Sequence, residues 1–326
     1  MSDDSKTPKL HITAIGGLEE VGKNLTVFQY KNEILVVDCG LRFAGPHLPG
    51  VDYLINDFSY LEANRDKIVG LIITHGHLDH IGAIPFFLKK INVPVYATPF
   101  TRAMIEKMVL DKAPEVRWKH RELKAGKMHH IGSFHVEPIH VNHSIIQSLA
   151  FAITTPVGVV IHSGDFKIDM STSYEETTDL AKFTEYGDKG VLALLSDSTN
   201  AINPGYTVSE GSLPANFEKI VAEAKGRVIV GTFSSQIHRI QMIIDLCKKV
   251  GRRIFVSGRS MLQNLEIGVG LSLFKNYQEV LVLDSEIKRL PKEKILILST
   301  GSQGEETAGL SLMIANKHKV IKLDKE

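Results

Sequence analysis

Residues 75 to 80 read His-Gly-His-Leu-Asp-His and follow directly on the apolar run IVGLIIT (68 to 74). This places His75, His77, Asp79 and His80, four side chains able to ligate a metal ion, in one short strand-to-helix junction. Imidazole and carboxylate are common ligands of first-row metals, and a loop rooted in a rigid strand can hold them in place. On extended backbone, residues i and i+2 point the same way, so His75 and His77 can chelate one ion. Asp79 and His80 come where the chain turns into a helix and can face a second ion a few Å away. Gly76 lets the backbone bend between the ligands. A polar loop with surface histidines is the simpler alternative, and four donors so close together argue against it.

Further donors lie at the ends of later strands. His143, in VNHS, follows the alternating segment 133 to 141 and can complete a three-histidine set with His75 and His77. Asp165, in HSGDF, ends a strand at 157 to 164, where a carboxylate can bridge two ions. Asp38 closes the run ILVVD and reads as a buried partner orienting a ligand from behind. Of 14 histidines in the chain, His129, His130, His135, His140 and His162 crowd the same central stretch.

The elements that must position these residues are short. Strands are expected at 10 to 16, 25 to 30, 33 to 40, 68 to 75 and 93 to 98, with helices through 81 to 91 and at 100 to 112, the latter ending before Pro114. Residues 133 to 141 alternate as a strand, 148 to 165 read as a hairpin, and 191 to 198 as a buried strand. After Asn200 helix and strand alternate: helices near 212 to 225, 236 to 250 and 260 to 274, strands at 227 to 233, 253 to 258 and 294 to 300. Such alternation predicts a parallel sheet with crossover helices. A domain boundary is therefore expected near residue 200, giving domains 1–200 and 201–326.

In the second half, GTFSSQIHRI places Thr232, Ser234, Ser235, His238 and Arg239 at a strand-to-helix transition, where hydroxyls and backbone N–H groups can receive a phosphate. Arg259 and Ser260, then Ser302, Gln303 and Gly304, end the next two expected strands, along the edge of a parallel sheet where ligands bind. One near-match is set aside. Gly17 to Asn24 reads G-x-x-x-x-G-K-N, but it lacks the final Ser or Thr of a phosphate-cradling loop and runs into a strand rather than a helix.

Composition frames these candidates. A chain of 326 residues has room for about two domains; its 43% hydrophobic and 23% charged residues exclude a disordered or collagen-like protein. Lys and Arg total 38 against 37 Asp and Glu, which by itself argues against a strongly basic nucleic-acid binder. Divided at residue 200, however, the chain is acidic first, with net charge −4, and basic after, with net charge +5. That asymmetry suits a metal site and a polyanion groove respectively. Two distant cysteines, Cys39 and Cys247, fit reduced thiols, and neither a signal peptide nor a membrane span is apparent, so a soluble cytoplasmic protein without membrane contact is expected.

Asp38, HGHLDH (75 to 80), NHS (142 to 144) and SGD (163 to 165) resemble, in order, the four motifs of the metallo-β-lactamase fold. GGLEEVGKN (16 to 24), DFSYL (57 to 61), HSGDFKID (162 to 169), SDSTNA (196 to 201), GRSM (258 to 261) and STGSQGE (299 to 305) are similar to bacterial ribonuclease J, of the β-CASP nuclease branch. The resemblance implies an α/β protein: a metallo-β-lactamase αββα sandwich with an inserted β-CASP α/β parallel-sheet domain, both incomplete at the C-terminus. It also implies two Zn²⁺ ions. His75, His77 and His143 would hold one, Asp79 and His80 the other, with Asp165 bridging; the second would lack one histidine that the family supplies further along its chain. Asp79, His80 and Asp197, the last in SDSTN, are its implied catalytic groups. The implied activity is zinc-dependent hydrolysis of RNA phosphodiesters, as a 5'-to-3' exonuclease and endonuclease, in RNA maturation and mRNA decay. The implied partners are RNA with a 5'-monophosphate, a second copy of the chain, or other RNA-decay proteins. Glu19 stands where the family has glycine, and FAGPHLPG (43 to 50) where it has an acidic segment. The alternatives are a catalytically impaired RNA-binding or scaffold subunit and a small-molecule hydrolase on the same fold.

Overall fold

A strand covered on both faces reads as a nearly unbroken apolar run, and the alternation of side chains then deals successive residues to opposite sides. The computed structural model, which describes residues 7–45, 47–171, 174–302, 304 and 308–323, shows this in its first unit, Met1–Ile168 with Thr177–Pro204. In chain order that unit contains β1 (Leu10–Gly16), β2 (Leu25–Tyr30), β3 (Glu33–Val37), β4 (Leu41–Phe43), β5 (Tyr53–Ile55), α1 (Ser59–Ala63), β6 (Ile68–Ile72), α2 (Leu78–Ile81), α3 (Ile84–Lys90), β7 (Val95–Ala97), α4 (Pro99–Lys112), β8 (His120–Glu122), β9 (His129–Ile131), β10 (Phe134–His140), β11 (Leu149–Thr155), β12 (Gly158–His162), α5 (Leu180–Lys189) and β13 (Ala193–Leu195).

One sheet runs β1-β2-β3-β6-β7-β8 and a second β13-β12-β11-β10-β9. Val27, Val36, Leu71 and Ile73 face one side of the first sheet, where they pack with Leu61, Phe87, Ile105 and Val109 of α1, α3 and α4. Their neighbours Phe28, Leu35, Val37 and Ile72 face the other side and meet Phe134, Val136, Phe151 and Ile153 of the second sheet. The outer face of that sheet, with Ala150, Ala152 and Ile161, is closed by Phe183 and Tyr186 of α5. The layers are helix, sheet, sheet, helix. Leu35, Phe28, Phe134 and Phe151 are wholly buried, and each contributes on the order of 2 kcal/mol through burial.

Several elements differ from the sequence expectation. The helix expected over 81 to 91 is two pieces, α2 and α3, broken at Gly82, where a Cβ would lie 2.3 Å from Leu41 Cγ. The β4–β5 hairpin, β8, β9, α5 and the short helices α1, α9 and α10 were not anticipated, and β13, expected to be buried, is an edge strand with Leu194, and Leu192 just before it, exposed. α5 is capped by Asp179, whose carboxylate accepts from Lys182 N–H at 3.0 Å.

The second unit, Asp169–Glu176 with Gly205–Glu326, contains α6 (Leu213–Glu223), β14 (Val228–Gly231), α7 (Ile237–Val250), β15 (Arg253–Ser257), α8 (Arg259–Gly270), α9 (Tyr277–Val280), β16 (Ile295–Ser299) and α10 (Gly309–Ile314). Its strands form the expected parallel sheet, in the order β14-β16-β15, so the last strand enters between the first two. Phe255, Ile295, Ile297, Met313 and Ile321 make its core. Arg252 is buried and donates Nε to Val221 O at 3.1 Å and Nη1 to Gly226 O at 2.9 Å and Ile295 O at 3.2 Å; Nη2 donates to Ala224 O. One guanidinium thus closes the carboxyl end of α6 against β16. Both cysteines are free and buried, and burial pushes the Cys247 thiol up to about 12. Among the described residues no helix is long and apolar enough to cross a membrane.

Candidate metal centre

Parallel pairing of β3 with β6 brings their carboxyl ends together, and the antiparallel meander β10–β11–β12 brings the β10–β11 loop and the segment after β12 to the same end of the sandwich: Leu149 N–H, opening β11, donates to Thr74 O, just past β6, at 2.9 Å. Side chains that follow strands therefore collect there. His75 and His80 are buried, while His77, His143 and Asp165 are partly so.

Two groups of potential ligands converge, His75 with His77 and His143, and His75 with His80 and Asp165. Within the first, His77 Nδ1 lies 3.1 Å from His75 Nε2 and 3.0 Å from His143 Nε2. Asp165 faces both groups: Oδ2 is 3.9 Å from His75 Nε2 and 3.7 Å from His143 Nε2, and Oδ1 is 3.4 Å from His80 Nε2. Asp79 Oδ2 is 3.4 Å from His80 Nε2.

The partners behind these ligands decide which nitrogen is bare. Asp38, buried and at φ 61°, accepts from Thr74 N–H and from Thr74 Oγ1–H, each at 2.8 Å, and from His80 Nδ1–H at 2.7 Å. Thr74 Oγ1, having given its proton to Asp38, can accept from His75 Nδ1–H at 3.0 Å. His75 Nε2 is then an unprotonated lone pair aimed at the cluster. Positive φ is tolerated by aspartate better than by most residues. The left-handed turn at Asp38 swings its carboxylate beneath the histidines.

Burial, then the neighbouring His80, His77 and His143, hold the His75 imidazole well below its ordinary pKa. Burial, then His143, lowers His77 to about 3, and burial lowers His143. Burial also opposes charge on His80, but Asp38, Asp165 and Asp79 outweigh it and raise the pKa. For Asp165 burial works upward, and the hydrogen bond from His80 with the histidine charges overcomes it, to about 2. Three neutral imidazoles beside an ionised carboxylate are the protonation states that a divalent cation requires. Bare ring nitrogens 3.0–3.1 Å apart lie within a few tenths of the roughly 3.4 Å edge that tetrahedral ligation at about 2.1 Å imposes. The donor set fits a metal ion.

The other sequence candidates fall in different places. Asp197 follows β13; its N–H donates to Ser163 Oγ at 2.8 Å, its carboxylate accepts from Thr199 N–H at 2.8 Å, and its charge acts on His143. His129, His130 and His135 lie on β9 and β10, His130 directly across from His135, and belong to neither ligand group. His162 ends β12 and accepts from Gly164 N–H at 3.1 Å. In the second unit, the carboxyl ends of β14, β16 and β15 align at Gly231, Ser299 and Ser257. Arg259, Ser260, Ser302 and Gly304 are exposed there, Ser234, His238 and Arg239 half-buried, and Thr232 and Ser235 buried. Thr232 donates to Gln236 Oε1 at 2.7 Å, Ser234 accepts from Asn264 Nδ2 at 3.0 Å, and Arg239 pairs with Glu210. Gln303 lies outside the described residues. Sequence reasoning passed over Asn24 and Thr74, which touch the metal-ligand cluster, and His318, whose Nδ1 accepts from Val320 and Ile321 N–H and whose Nε2 lies 2.9 Å from Ser257 Oγ.

Comparison with known proteins agrees with this geometry. Residues 18–179 match the model of the metallo-beta-lactamase superfamily, and residues 225–326 that of the ribonuclease J beta-CASP domain. The chain is 42% identical over 325 residues to ribonuclease J of Synechocystis sp., covering 99% of this chain and 51% of that one. It is 42% identical over 313 residues to ribonuclease J of Helicobacter pylori, covering 96% and 45%. The chain thus spans about half the length of the curated relatives it matches. A crystal structure of a protein of unknown function from Enterococcus faecalis shares the fold at TM-score 0.62 and 15% identity, covering 89% of this chain and 77% of that one. Two sheets between helical layers, a histidine–aspartate centre at their ends and a following parallel-sheet unit agree with both matched models: the chain belongs to the metallo-β-lactamase superfamily, in the branch that carries the ribonuclease J β-CASP domain.

Proposed function

We propose that this chain forms the metal centre and part of the RNA-binding surface of a ribonuclease that hydrolyses phosphodiester bonds with two zinc ions. The observation that carries the reading is Asp165, whose two oxygens face separate ligand groups, as a bridging carboxylate would. His75, His77 and His143 would hold one ion, and Asp79 and His80 the other. When bound, such a pair activates water near neutral pH and neutralises charge developing at phosphorus. Asp79, beside His80, would orient the water such a pair activates; Asp38 fixes the tautomer and angle of His80, and Asp197 acts on His143 from beyond β13.

In the second unit, exposed Arg259, Ser260, Ser302 and Gly304 would contact the RNA backbone, with Ser234, His238 and Arg239 beside them. Thr232 and Ser235, buried at the same strand end, would shape that edge from beneath. We propose the division of labour of domains 1–200 and 201–326, acidic and basic respectively, on this basis. The relatives' name supports RNA as substrate; attack from a 5'-monophosphate end and internally, in cytoplasmic RNA maturation and mRNA decay, is part of the proposal. Assembly with a second copy or with other RNA-decay proteins belongs to the same proposal.

His77→Ala should abolish cleavage of 5'-monophosphorylated RNA while leaving RNA binding largely intact. Less than one bound zinc per wild-type chain together with no cleavage would overturn the reading, and loss of binding along with cleavage would assign His77 a folding role instead.

A further inference from the structure

The glycine-rich stretch Gly17–Asn24, set aside as a phosphate loop, lies against the metal ligands. It connects β1 to β2 and is stitched to the turn that carries Asp79: Asn24 N–H donates to Asp79 O at 3.0 Å, Gly40 N–H to Asn24 O at 2.9 Å, and Lys23 N–H to Leu41 O at 3.0 Å. Asn56, itself buried, donates Nδ2 to Lys23 O at 2.7 Å and so holds the loop from the far side.

The Asn24 side chain points into this junction. Its Nδ2 lies 3.2 Å from Asp79 O, 3.4 Å from Asp79 Oδ2 and 3.1 Å from His80 Nε2. A carbonyl and a carboxylate only accept, so the NH₂ end of the amide must face them and the oxygen end must face away. It does: Oδ1 lies against Gly17, which sits at φ +86°, and a Cβ there would be 2.3 Å from Oδ1. A Cβ on Gly40 would fall 1.5 Å from Asp79 O and 2.9 Å from Asn24 N. Glycine at both positions is what allows the loop and the ligand turn to close on each other. Two amide hydrogens match Asp79 O and Oδ2, so neither need be spent on His80 Nε2, which would receive a cation on giving up its proton.

We propose that Asn24 is a positioning residue for the second metal ion: it holds the Asp79 carboxylate and the turn that presents His80, with Gly17 making room for it. The inference rests on the two-metal reading above. Hydrogen bonds of this kind to metal-ligating groups are worth about 10–100-fold in metal affinity.

The test is Zn²⁺ uptake by the full chain, measured by competition with a chromophoric chelator on wild type, Asn24→Ala, Asn24→Asp and Asp79→Ala, alongside thermal unfolding of the chelator-stripped proteins. Asn24→Asp keeps the shape, removes the donor and sets a second carboxylate against Asp79. Both Asn24 variants are expected to weaken by at least tenfold the same zinc equivalent that Asp79→Ala weakens, to leave the other within about twofold, and to unfold with stripped wild type. Two equivalents of wild-type affinity in both Asn24 variants would overturn the inference, as would equal weakening of both equivalents accompanied by earlier unfolding. A wild-type chain taking up less than one equivalent would overturn the metal reading itself, and the role of Asn24 with it.

Discussion

Asp38 gathers three hydrogen bonds, two from Thr74 and one from His80, on a carboxylate that only a left-handed backbone turn could place beneath the histidines. Asn tolerates the same turn, but its amide must offer N–H where one donor now finds an oxygen. Asp38→Asn should therefore keep the fold by circular dichroism and lose roughly 10–100-fold in affinity for the ion held by His80; unchanged metal content after dialysis would contradict this. Glu19 is exposed at φ 58°, a conformation that costs a side-chain-bearing residue about 1–2 kcal/mol. Glu19→Gly removes that cost and adds unfolded-chain entropy, so the unfolding free energy from urea denaturation should hold or rise by up to about 1 kcal/mol. A clear fall would show that the Glu19 side chain makes a contact worth more than the strain. His75, His77, Asp79 and His80 were legible because donor type and spacing within six residues carry the signal, and Asp38, His143 and Asp165 because they close or follow strands. Asn24 and Thr74 were not, because neither is a ligand type and their partners lie 55 and 36 residues away in sequence.

At the scale of elements, apolar runs located most strands but not the three-residue β4, β5, β8 and β9, and the split of Val36 from Leu35 and Val37 onto opposite faces follows from the period of two. The β4–β5 hairpin escaped because its strands are three residues long, with Phe43 and Ile55 exposed. α5 escaped because it is only ten residues long and mostly polar, although Leu180, Phe183 and Tyr186 recur at helical spacing and the last two cover the sheet face. Arg252 was equally silent: it reads as a surface arginine beside Arg253, yet it donates to four carbonyls. Arg252→Leu would orphan those acceptors and should destabilise the second unit by about 3 kcal/mol in urea; an unchanged midpoint would mean that water replaces the guanidinium at no loss.

At the scale of the molecule, all the proposed metal ligands lie in the first unit, so an ion stabilises that unit alone by mass action. With zinc at about a thousandfold its dissociation constant the gain is about 4 kcal/mol, roughly 10 °C for a unit of this size. Calorimetry with and without chelator should move the transition of the metal unit and leave that of the parallel-sheet unit in place. One transition shifting as a whole would refute independent unfolding.

Family, fold class and the proposed ligand set could be read from the sequence alone, because short-range spacing encodes strand-to-loop junctions and donor chemistry is a property of residue type. Tertiary structure decided the rest. It entered β16 between β14 and β15, turned Asp165 toward two ligand groups at once, and set Asn24 against Asp79 across glycines that leave no Cβ in the way. Each of these depends on distances between residues remote in the chain, and those distances exist only once both sheets have packed.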